Sequence, residues 1–368
     1  MHIQGMIGIP LRDKNNKAVR VAVKACFYSF YITYKGEIQM KIGILGTGLI
    51  AKEVLGVIKD LNGIDEIYIL ATERSKQKAL ELKKEYNISK CFFDYSQMLE
   101  SDADTMYVAL PNNLHYEFTK KALGNSKNVI LEKPATPNIN QLNELIELAK
   151  SKNVILVEAV NLYHLPAYKS LQKDVKKIGK PRIVSFNYSQ YSSRYDAFKN
   201  GVIAPVFDLE KAGGALVDLN VYNIHAVLGL FGKPNSACYF PNIQKGIDTS
   251  GILNMSYDGF QAVCIGAKDC KAQVSCTIQG ENGTISFLGS ASMLTEYKIQ
   301  LNNGFEEIYK TENPEHRLVY EFREFIKIIE NKDFEQSNLL AQNSILAVSI
   351  MENVRKKAGI YYDDEVKN

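Results

Sequence analysis

The feature that most constrains the fold of this chain is a glycine-rich turn in the segment 40–51. Apolar residues over 42–45 predict a buried strand, and a helix is predicted to begin after Gly48. In this G-x-G-x-x-A pattern, Gly46 allows a tight turn, Gly48 lets backbone N–H groups approach a diphosphate, and Ala51 lets the helix pack closely on the strand. An ordinary strand-to-helix turn also fits the pattern, so the prediction of a dinucleotide site depends on the rest of the chain. The candidate cofactor-binding residues of this turn are Gly46, Thr47, Gly48, Leu49 and Ile50.

Strands and helices alternate from this turn to Val160. This alternation predicts a parallel sheet with helices on both faces, in which ligands bind at the carboxyl ends of the strands. After the first strand, the predicted strands are 66–71, 90–93, 105–110, 128–131 and 154–160. The predicted helices between them are 50–61, 75–86, 95–100, 115–123 and 139–150.

An acidic residue, Glu73, follows the second strand about 20 residues after the glycine turn, where a carboxylate can accept hydrogen bonds from the adenosine ribose. This position favours NAD. Arg74 and the lysine after Ser75 could instead hold the 2′-phosphate of NADP, and Glu73 could serve only to ease the dipole of the next helix. The sequence therefore gives NAD a slight preference over NADP, with Glu73 and Arg74 as candidate cofactor-binding residues.

Polar residues also follow two later strands of the predicted sheet. Pro111, Asn112 and His115 come after one strand, and Glu132 and Lys133 come after the next. A lysine beside a proline is usually a solvated turn residue. At the carboxyl ends of parallel strands, however, these five residues are candidates for binding the cofactor.

Beyond Pro166 the pattern changes, which indicates a second domain. A helix over 167–178 precedes strands at 182–190, 237–240, 249–256, 261–266, 272–279 and 283–287. Strands without helices between them indicate a mostly antiparallel sheet. Helices over 314–331 and 337–357 close the chain and are expected to pack on this sheet or back on the first domain.

The predicted fold class is therefore α/β, with two domains. An N-terminal Rossmann dinucleotide-binding domain is predicted over 40–160. A C-terminal α+β domain with a large, mostly antiparallel open sheet is predicted over 161–368, for substrate binding and oligomerisation.

Residues 1–39 stand upstream of the first predicted strand and carry the basic excess of the protein. They hold six of the 44 Lys and Arg residues and two of the 41 Asp and Glu residues. Because a Rossmann domain usually starts at its first strand, we expect this leader to be an N-terminal extension, either a misassigned start or an extra hairpin. The balanced charge of 40–368 gives no support for nucleic-acid or membrane binding. No apolar run reaches membrane-spanning length, so we expect a cytoplasmic protein.

Six cysteines and five histidines are scattered along the chain. Because no C-x-x-C or H-E-x-x-H pattern occurs, no metal site is predicted. The even spacing of Cys264, Cys270 and Cys276 suggests strand positions in a reduced protein, with the thiols buried.

A polar stripe occurs within the segment 213–225. Asp218, Tyr222 and His225 are spaced at i, i+4 and i+7, so that on an α-helix they lie within roughly 60° of one another. Such a helix would present a carboxylate, a phenol and an imidazole together. A solvated helix face or a satisfied buried network is the alternative.

Five motifs, in this order along the chain, resemble the glucose-fructose oxidoreductase, inositol dehydrogenase and rhizopine catabolism (Gfo/Idh/MocA) family. The motifs are Gly46-x-Gly48-x-x-Ala51, Pro111-Asn112-x-x-His115, Glu132-Lys133-Pro134, Glu158-Ala159 and Gly213-Gly214-Ala215-Leu216-x-Asp218-x-x-x-Tyr222. With a tyrosine at 222, the chain resembles the branch of the family that contains glucose-fructose oxidoreductase and dimeric dihydrodiol dehydrogenase. The resemblance implies an NAD(P)-dependent dehydrogenase or reductase acting on a secondary alcohol or carbonyl of a sugar, polyol or related hydroxylated compound.

The same resemblance implies roles for individual residues. Lys133 would reach the nicotinamide ribose and the reacting oxygen, Tyr222 would be the acid/base, and Asp218 would orient the substrate or share the proton. A free phenol has a pKa of about 10, and an adjacent ammonium and the positive nicotinamide both favour its anion. His225 stands where many family members have aspartate, which makes it an alternative proton carrier. Asn161 departs from the pattern of dihydrodiol dehydrogenases, so the substrate pocket is expected to differ.

A second interpretation is a non-catalytic NAD(P)-binding sensor or regulatory protein of the same fold, against which the intact Lys133, Asp218 and Tyr222 argue. The polar loop 191–199 is interpreted first as solvated. A homodimer or higher homo-oligomer is expected, because the open sheet leaves one face to cover and members of the family commonly pair through it. The expected partners are a sugar-like or polyol-like small molecule and no nucleic acid.

Overall fold

The computed structural model of the protein describes residues 40–362 and Glu365. The predicted N-terminal extension over 1–39 lies outside these residues. The described chain contains a parallel sheet followed by a larger mixed sheet. This architecture confirms the predicted fold class.

The first sheet has six parallel strands in the order β3-β2-β1-β4-β5-β6. Its strands are β1 (Met40–Leu45), β2 (Ile64–Leu70), β3 (Lys90–Phe92), β4 (Thr105–Val108), β5 (Asn128–Glu132) and β6 (Leu156–Ala159). Its helices are α1 (Leu49–Ile58), α2 (Lys76–Glu85), α3 (Tyr95–Leu99), α4 (His115–Gly124) and α5 (Ile139–Lys152). Short 3₁₀ turns at Glu73–Ser75, Asn112–Leu114 and Asn161–His164 follow β2, β4 and β6. The strand order reverses beside β1, so the crevice for a ligand lies at the end of β1 and β4.

The central strands of the first sheet are buried on both faces. Every residue of β4 is buried, and so are all residues of β1 except Lys41. Such nearly continuous apolar strands are expected in a parallel sheet that helices cover on both sides.

The second sheet has eight strands in the order β14-β13-β12-β11-β7-β10-β9-β8. Its strands are β7 (Pro181–Ser189), β8 (Ser236–Gln244), β9 (Ile247–Tyr257), β10 (Phe260–Ala267), β11 (Ser275–Gly280), β12 (Gly283–Leu288), β13 (Glu296–Leu301) and β14 (Glu306–Lys310). β10 and β7 are parallel and the other pairs are antiparallel. β13 and β14 were not among the predicted strands, and their outward side chains are largely charged.

The helices of the second half lie against one face of this sheet or return to the first sheet. They are α6 (Pro166–Asp174), α7 (Tyr195–Lys199), α8 (Val221–Phe231), α9 (Arg317–Glu330) and α10 (Phe334–Lys357). Short helical turns occur at Val175–Ile178, Pro205–Phe207, Leu209–Lys211 and Ala291–Met293, and a π-helix occupies Leu216–Asn220. α9 packs into the core of the first sheet, where the rings of Phe322 and Tyr107 lie 5.6 Å apart.

α10 belongs to three hydrophobic cores. Leu340 and Val348 pack in the cores on the two sides of the first sheet, while Ala347, Met351 and Val354 pack in the core of the second sheet. One helix therefore ties the two sheets together.

Within the described residues, Leu209–Phe231 is long and apolar enough to cross a membrane, but 67% of its most apolar 18-residue stretch is buried inside the protein, as in a core helix.

Cys264 and Cys276 lie buried in strands, as expected. Cys270 is exposed in the loop after β10, so the prediction of a buried strand position was wrong for this thiol.

Candidate active site

A cavity of about 360 Å³ lies at the carboxyl ends of β1, β4, β5 and β6, facing the π-helix and the start of α9. The parallel sheet and the loops and helices of the second half of the chain both contribute residues to it. The described residues that line it are Leu49, Ile50, Glu53, Leu110, Asn112, His115, Glu132, Lys133, Ala159, Asn161, Arg194, Val206, Asp218, Tyr222, Arg317, Leu318 and Glu321.

The glycine turn forms one end of this cavity. Gly46 has a φ of +112°, and a Cβ there would lie 2.8 Å from the carbonyl oxygen of Ala109. A Cβ at Gly48 would meet nothing within 4 Å. α1 begins at Leu49 without a side-chain cap or an acidic residue in its first turn. Its first backbone N–H groups and the positive end of its dipole are therefore available to a diphosphate, so the turn fits a dinucleotide.

The turn after β2 holds the residues predicted to select the cofactor. The Glu73 carboxylate lies 3.3 Å from Lys76 Nζ and is 72% exposed. Thr72 and Ser75 hydrogen bond to each other and fix the turn. No partner for the Arg74 guanidinium occurs within the described residues. Two cations and one carboxylate thus share this turn.

The loop after β4 lines the cavity and is held in place by its own side chains. Asn112 Nδ2 donates to the carbonyl oxygen of Ala212 at 2.9 Å. The His115 ring is buried, with Nδ1 2.9 Å from the carbonyl oxygen of Pro134 and Nε2 2.9 Å from that of Leu110. Burial lowers the pKa of His115 in spite of these carbonyls. Because both ring nitrogens face backbone carbonyl oxygens, His115 fixes the loop beside the cavity, and its direct contact with a cofactor stays a prediction.

Glu132 and Lys133 end β5, and a cis peptide bond joins Lys133 to Pro134. The hydroxyl of Tyr107 and the backbone N–H of Lys133 donate to the Glu132 carboxylate, and burial raises its pKa. Lys133 Nζ donates to the backbone carbonyl of Asp218 at 2.9 Å and lies 3.4 Å from Asp218 Oδ1. Residues 85 positions apart in the chain thus meet in the cavity wall.

The glycine pair before the π-helix has a packing role. Gly214 has a φ of +121°, and a Cβ there would lie 2.1 Å from Asp248 Oδ1. The backbone N–H of Leu216 donates to Asp248 Oδ2 at 2.7 Å. The π-helix therefore starts against a buried carboxylate of β9, which only glycine allows the chain to approach.

Tyr222 projects into the cavity beside Lys133. Lys133 Nζ lies 4.7 Å from the centre of the Tyr222 ring, and the ring also packs against Tyr188 at 6.0 Å. Burial raises the pKa of Tyr222 to about 12, although the Lys133 ammonium opposes the shift. The phenol is therefore protonated at neutral pH.

Lys268, directly after β10, is a residue of the site that was not predicted from the sequence. Its side chain is 3% exposed, and its Nζ donates to Asp218 Oδ2. Burial would raise the pKa of Asp218, but the Lys133 and Lys268 ammoniums lower it to about 2. In sequence, a lysine next to an aspartate after a strand has the pattern of a solvated turn, so no local signal was available.

His225 does not line the cavity, which corrects the prediction that it shares a face with Asp218. Its Nδ1 lies 2.9 Å from the hydroxyl of Tyr163 and its Nε2 lies 3.7 Å from Glu158 Oε2. Each residue of a π-helix turns the chain by less than the ~100° of an α-helix, so the i+7 position rotates away. Burial lowers the pKa of His225 to about 3, which keeps it neutral.

Two more cavity residues come from unexpected parts of the chain. Arg194 lies in the loop that was interpreted as solvated. Arg317, at the start of α9, places Nη2 2.9 Å from Glu53 Oε2 on α1. Both are remote in sequence from the recognisable motifs, so only the fold brings them to the site.

Two family models match the chain. One, described as "Oxidoreductase family, NAD-binding Rossmann fold" (GFO_IDH_MocA), matches residues 40–160, and the GFO/IDH/MocA C-terminal domain model matches residues 173–286. Together these matches cover more than half of the chain.

Individual proteins show the same similarity. The scyllo-inositol 2-dehydrogenase (NADP(+)) IolU of Bacillus subtilis is 33% identical over 88% of this chain and 98% of that protein. The structure of KijD10, a 3-ketoreductase from Actinomadura kijaniata in complex with NADP and TDP-benzene, covers 86% of this chain and 97% of its own with a TM-score of 0.73 and 19% identity. Levoglucosan dehydrogenase, in complex with NADH and levoglucosan, covers 87% of this chain and 97% of its own with a TM-score of 0.75 and 15% identity.

Proposed function

This chain belongs to the GFO/IDH/MocA family of NAD(P)-dependent oxidoreductases, and we propose that it transfers hydride between a nicotinamide and a ring carbon of a cyclic polyol or sugar. The reacting group is a secondary alcohol in one direction and a ketone in the other. The name of the 33% identical relative, an inositol dehydrogenase, supports this substrate class. A cavity of about 360 Å³ falls within the size range of small-molecule sites.

The observation that carries the proposal is the convergence of Lys133, Asp218 and Tyr222 beside the glycine turn. Lys133 Nζ reaches both Asp218 and the Tyr222 ring, at 3.4 Å and 4.7 Å. A phenol that can donate a proton, beside an ammonium that a carboxylate holds in place, is an arrangement suited to proton transfer to a carbonyl oxygen. This arrangement also argues against the alternative of a non-catalytic NAD(P)-binding sensor.

The bound nicotinamide would supply or accept the hydride. In carbonyl reduction, Tyr222 gives its hydroxyl proton to the substrate oxygen, and Lys133 stabilises the negative charge that develops there. Asp218 stays ionised and holds the Lys133 ammonium in place. In alcohol oxidation the proton moves back to the Tyr222 oxygen, which must first be deprotonated.

We infer that NADP is preferred over NAD, in contrast to the slight preference for NAD that Glu73 alone suggested. The Glu73 carboxylate is partly neutralised by Lys76, while Arg74 has no carboxylate partner within the described chain. A 2′-phosphate would find two cations at this turn. The inositol dehydrogenase relative carries NADP(+) in its name.

Three expectations about the whole protein complete the proposal. We propose a cytoplasmic protein whose domains divide near residue 160. We also propose that a second copy covers the outer face of the second sheet. Phe240, Ile252 and Ile183 on that face are 64%, 45% and 48% exposed, and register places Phe240 beside Ile252.

The proposal is tested by titrating the protein with NADPH and NADH and following the fluorescence of the reduced nicotinamide, since the chain has no tryptophan. We expect saturable binding of both, tighter for NADPH, and Arg74→Ser should weaken NADPH alone by about tenfold or more. Lys133→Ala should then lower turnover of a cyclic polyol by about 100-fold while changing the NADPH Kd by only a few-fold.

Two results would contradict the proposal. Absence of binding by a folded, cofactor-free protein would remove the cofactor site. Binding without turnover, across a screen of polyols, sugars and their ketones, would favour the sensor function instead.

A further inference from the structure

Lys268 is a buried lysine that contacts the Asp218 carboxylate from the side away from the cavity. Lys268 directly follows β10, its side chain is 3% exposed, and it does not line the cavity. Its backbone N–H donates to the carbonyl oxygen of Thr249 at 2.8 Å, which fixes the start of the side chain. Its Nζ donates to Asp218 Oδ2 and lies 5.1 Å from the centre of the Phe207 ring.

Burying an ammonium is costly unless it is paired, so the partners of Lys268 matter. Asp269, next in the chain, directs Oδ2 to the hydroxyls of Thr249 and Ser250. Asp248 accepts from the backbone N–H of Leu216 and from another side chain. Asp218 is thus the carboxylate with which Lys268 pairs within the described residues.

The Asp218 carboxylate is held from both sides. Lys133 approaches Oδ1 from the end of β5, and Lys268 approaches Oδ2 from the end of β10. Asp218 thus lies between two ammoniums, one of which, Lys133, also faces the Tyr222 ring. Asp218 is therefore unsuited to accept a proton, and its orientation is set by the two lysines.

We propose that Lys268 is a positioning residue for hydride transfer, which locks the Asp218 carboxylate and through it the Lys133 ammonium. The positive charge of Lys268 also offsets the negative charge of Asp218. Without this offset, the Asp218 carboxylate would repel the negative charge that develops on the substrate oxygen or on the Tyr222 oxygen. The inference rests on the proposed function, because it assigns Lys268 a part in the same reaction.

The charged and titratable groups that face this pair belong to four elements. Lys133 follows β5, Tyr222 lies on α8, Asp248 lies on β9, and Asp218 lies in the π-helix. Without Lys268, Asp218 would have one ammonium instead of two. Its pKa should then rise toward that of an ordinary carboxyl group.

The experiment compares Lys268→Met, Lys268→Arg and Asp218→Asn, with Lys127→Met as the matched control. Lys127 is a half-buried lysine, which donates to the backbone carbonyls of Ser101 and Ala103 and does not line the cavity. We expect Lys268→Met to lower kcat for carbonyl reduction by about 10- to 100-fold and to change the NADPH Kd by less than threefold. Lys268→Arg should recover part of the loss, and Lys127→Met should stay within twofold of the parent.

A double-mutant cycle separates positioning from a general structural role. If Lys268 acts through Asp218, adding Lys268→Met to Asp218→Asn should cause little further loss of kcat. Independent, additive losses would overturn the proposal.

A second readout needs no substrate and is made on the NADP complex. The ¹³Cγ resonance of Asp218, identified by its disappearance in Asp218→Asn, should stay unchanged between pH 6 and 3.5 in the parent and in Lys268→Arg, which keeps a positive charge, and should titrate in Lys268→Met. Absence of this titration in a folded Lys268→Met variant would overturn the proposal. Failure of the parent to bind NADPH would instead reject the proposed function, so the two failures are distinguishable.

Discussion

At the scale of single residues, Tyr222 experiences two opposing effects. Burial raises its pKa and the Lys133 ammonium lowers it, and the balance leaves the pKa at about 12 in the protein without cofactor. The phenol is therefore prepared to donate a proton, which favours carbonyl reduction at neutral pH.

The pH dependence of the two directions should differ accordingly. Between pH 6 and 9 the Tyr222 phenol stays protonated, so kcat/KM for ketone reduction should be insensitive to this group. Alcohol oxidation needs the phenolate, whose fraction rises about tenfold per pH unit below the pKa, so its kcat/KM should rise with a slope near one. Steady-state rates in both directions over this range check the prediction.

Tyr222→Phe is the matching control. It should lower both rates by about 100-fold or more and abolish the slope for oxidation. An unchanged slope in Tyr222→Phe would move the proton to another group.

The limits of sequence reasoning are clearest at this scale. Lys133, Asp218 and Tyr222 could be identified because each stands in a short motif with a fixed neighbour. Lys268 and Arg317 could not, because their partners are 50 and 264 positions away, and an isolated lysine or arginine carries no local signal. His225 was misplaced because its predicted direction assumed a regular α-helix.

At the scale of elements, the alternation of strands and helices sufficed to predict the first sheet. Buried apolar strands give a strong pattern, and the observed bounds differ from the predicted ones by a few residues at most. β13 and β14 were missed because strands at or next to a sheet edge, with largely charged outer faces, lack that pattern. The π-helix could not be predicted either, since it depends on Asp248 of β9.

Gly214 connects this π-helix to its support, and its replacement should be costly. Gly214→Ala places a Cβ 2.1 Å from Asp248 Oδ1 at a φ of +121°. We expect the free energy of unfolding to fall by about 1–3 kcal/mol or more, measured by urea denaturation, with loss of turnover as Asp218 shifts.

Gly289 offers a matched control for that substitution. Its φ is +87°, but a Cβ there would meet nothing within 4 Å. Gly289→Ala should therefore lower the free energy of unfolding only by the cost of the strained backbone, and it should leave turnover unchanged. An equal effect of both substitutions would mean that the contact with Asp248 is unimportant.

At the scale of the whole molecule, the outer face of the second sheet sets the expected assembly. Replacing Phe240 and Ile252 together by aspartate should convert the proposed oligomer to monomers in light scattering, because charged residues would be buried in the interface. Leu339→Asp is the control, since Leu339 is 55% exposed on α10, away from the sheet. A parent protein that is already monomeric would contradict the proposed assembly.

The position of α10 in three cores has a consequence for how the protein melts. Neither sheet can lose its packing on α10 without exposing apolar surface of the other. We therefore expect a single calorimetric transition for residues 40–362, with equal calorimetric and van't Hoff enthalpies. NADPH would contact mainly the first sheet. It should nevertheless raise the melting temperature of the second sheet by as many degrees as that of the first. Two separate transitions, of which only one responds to NADPH, would show that the two sheets unfold independently.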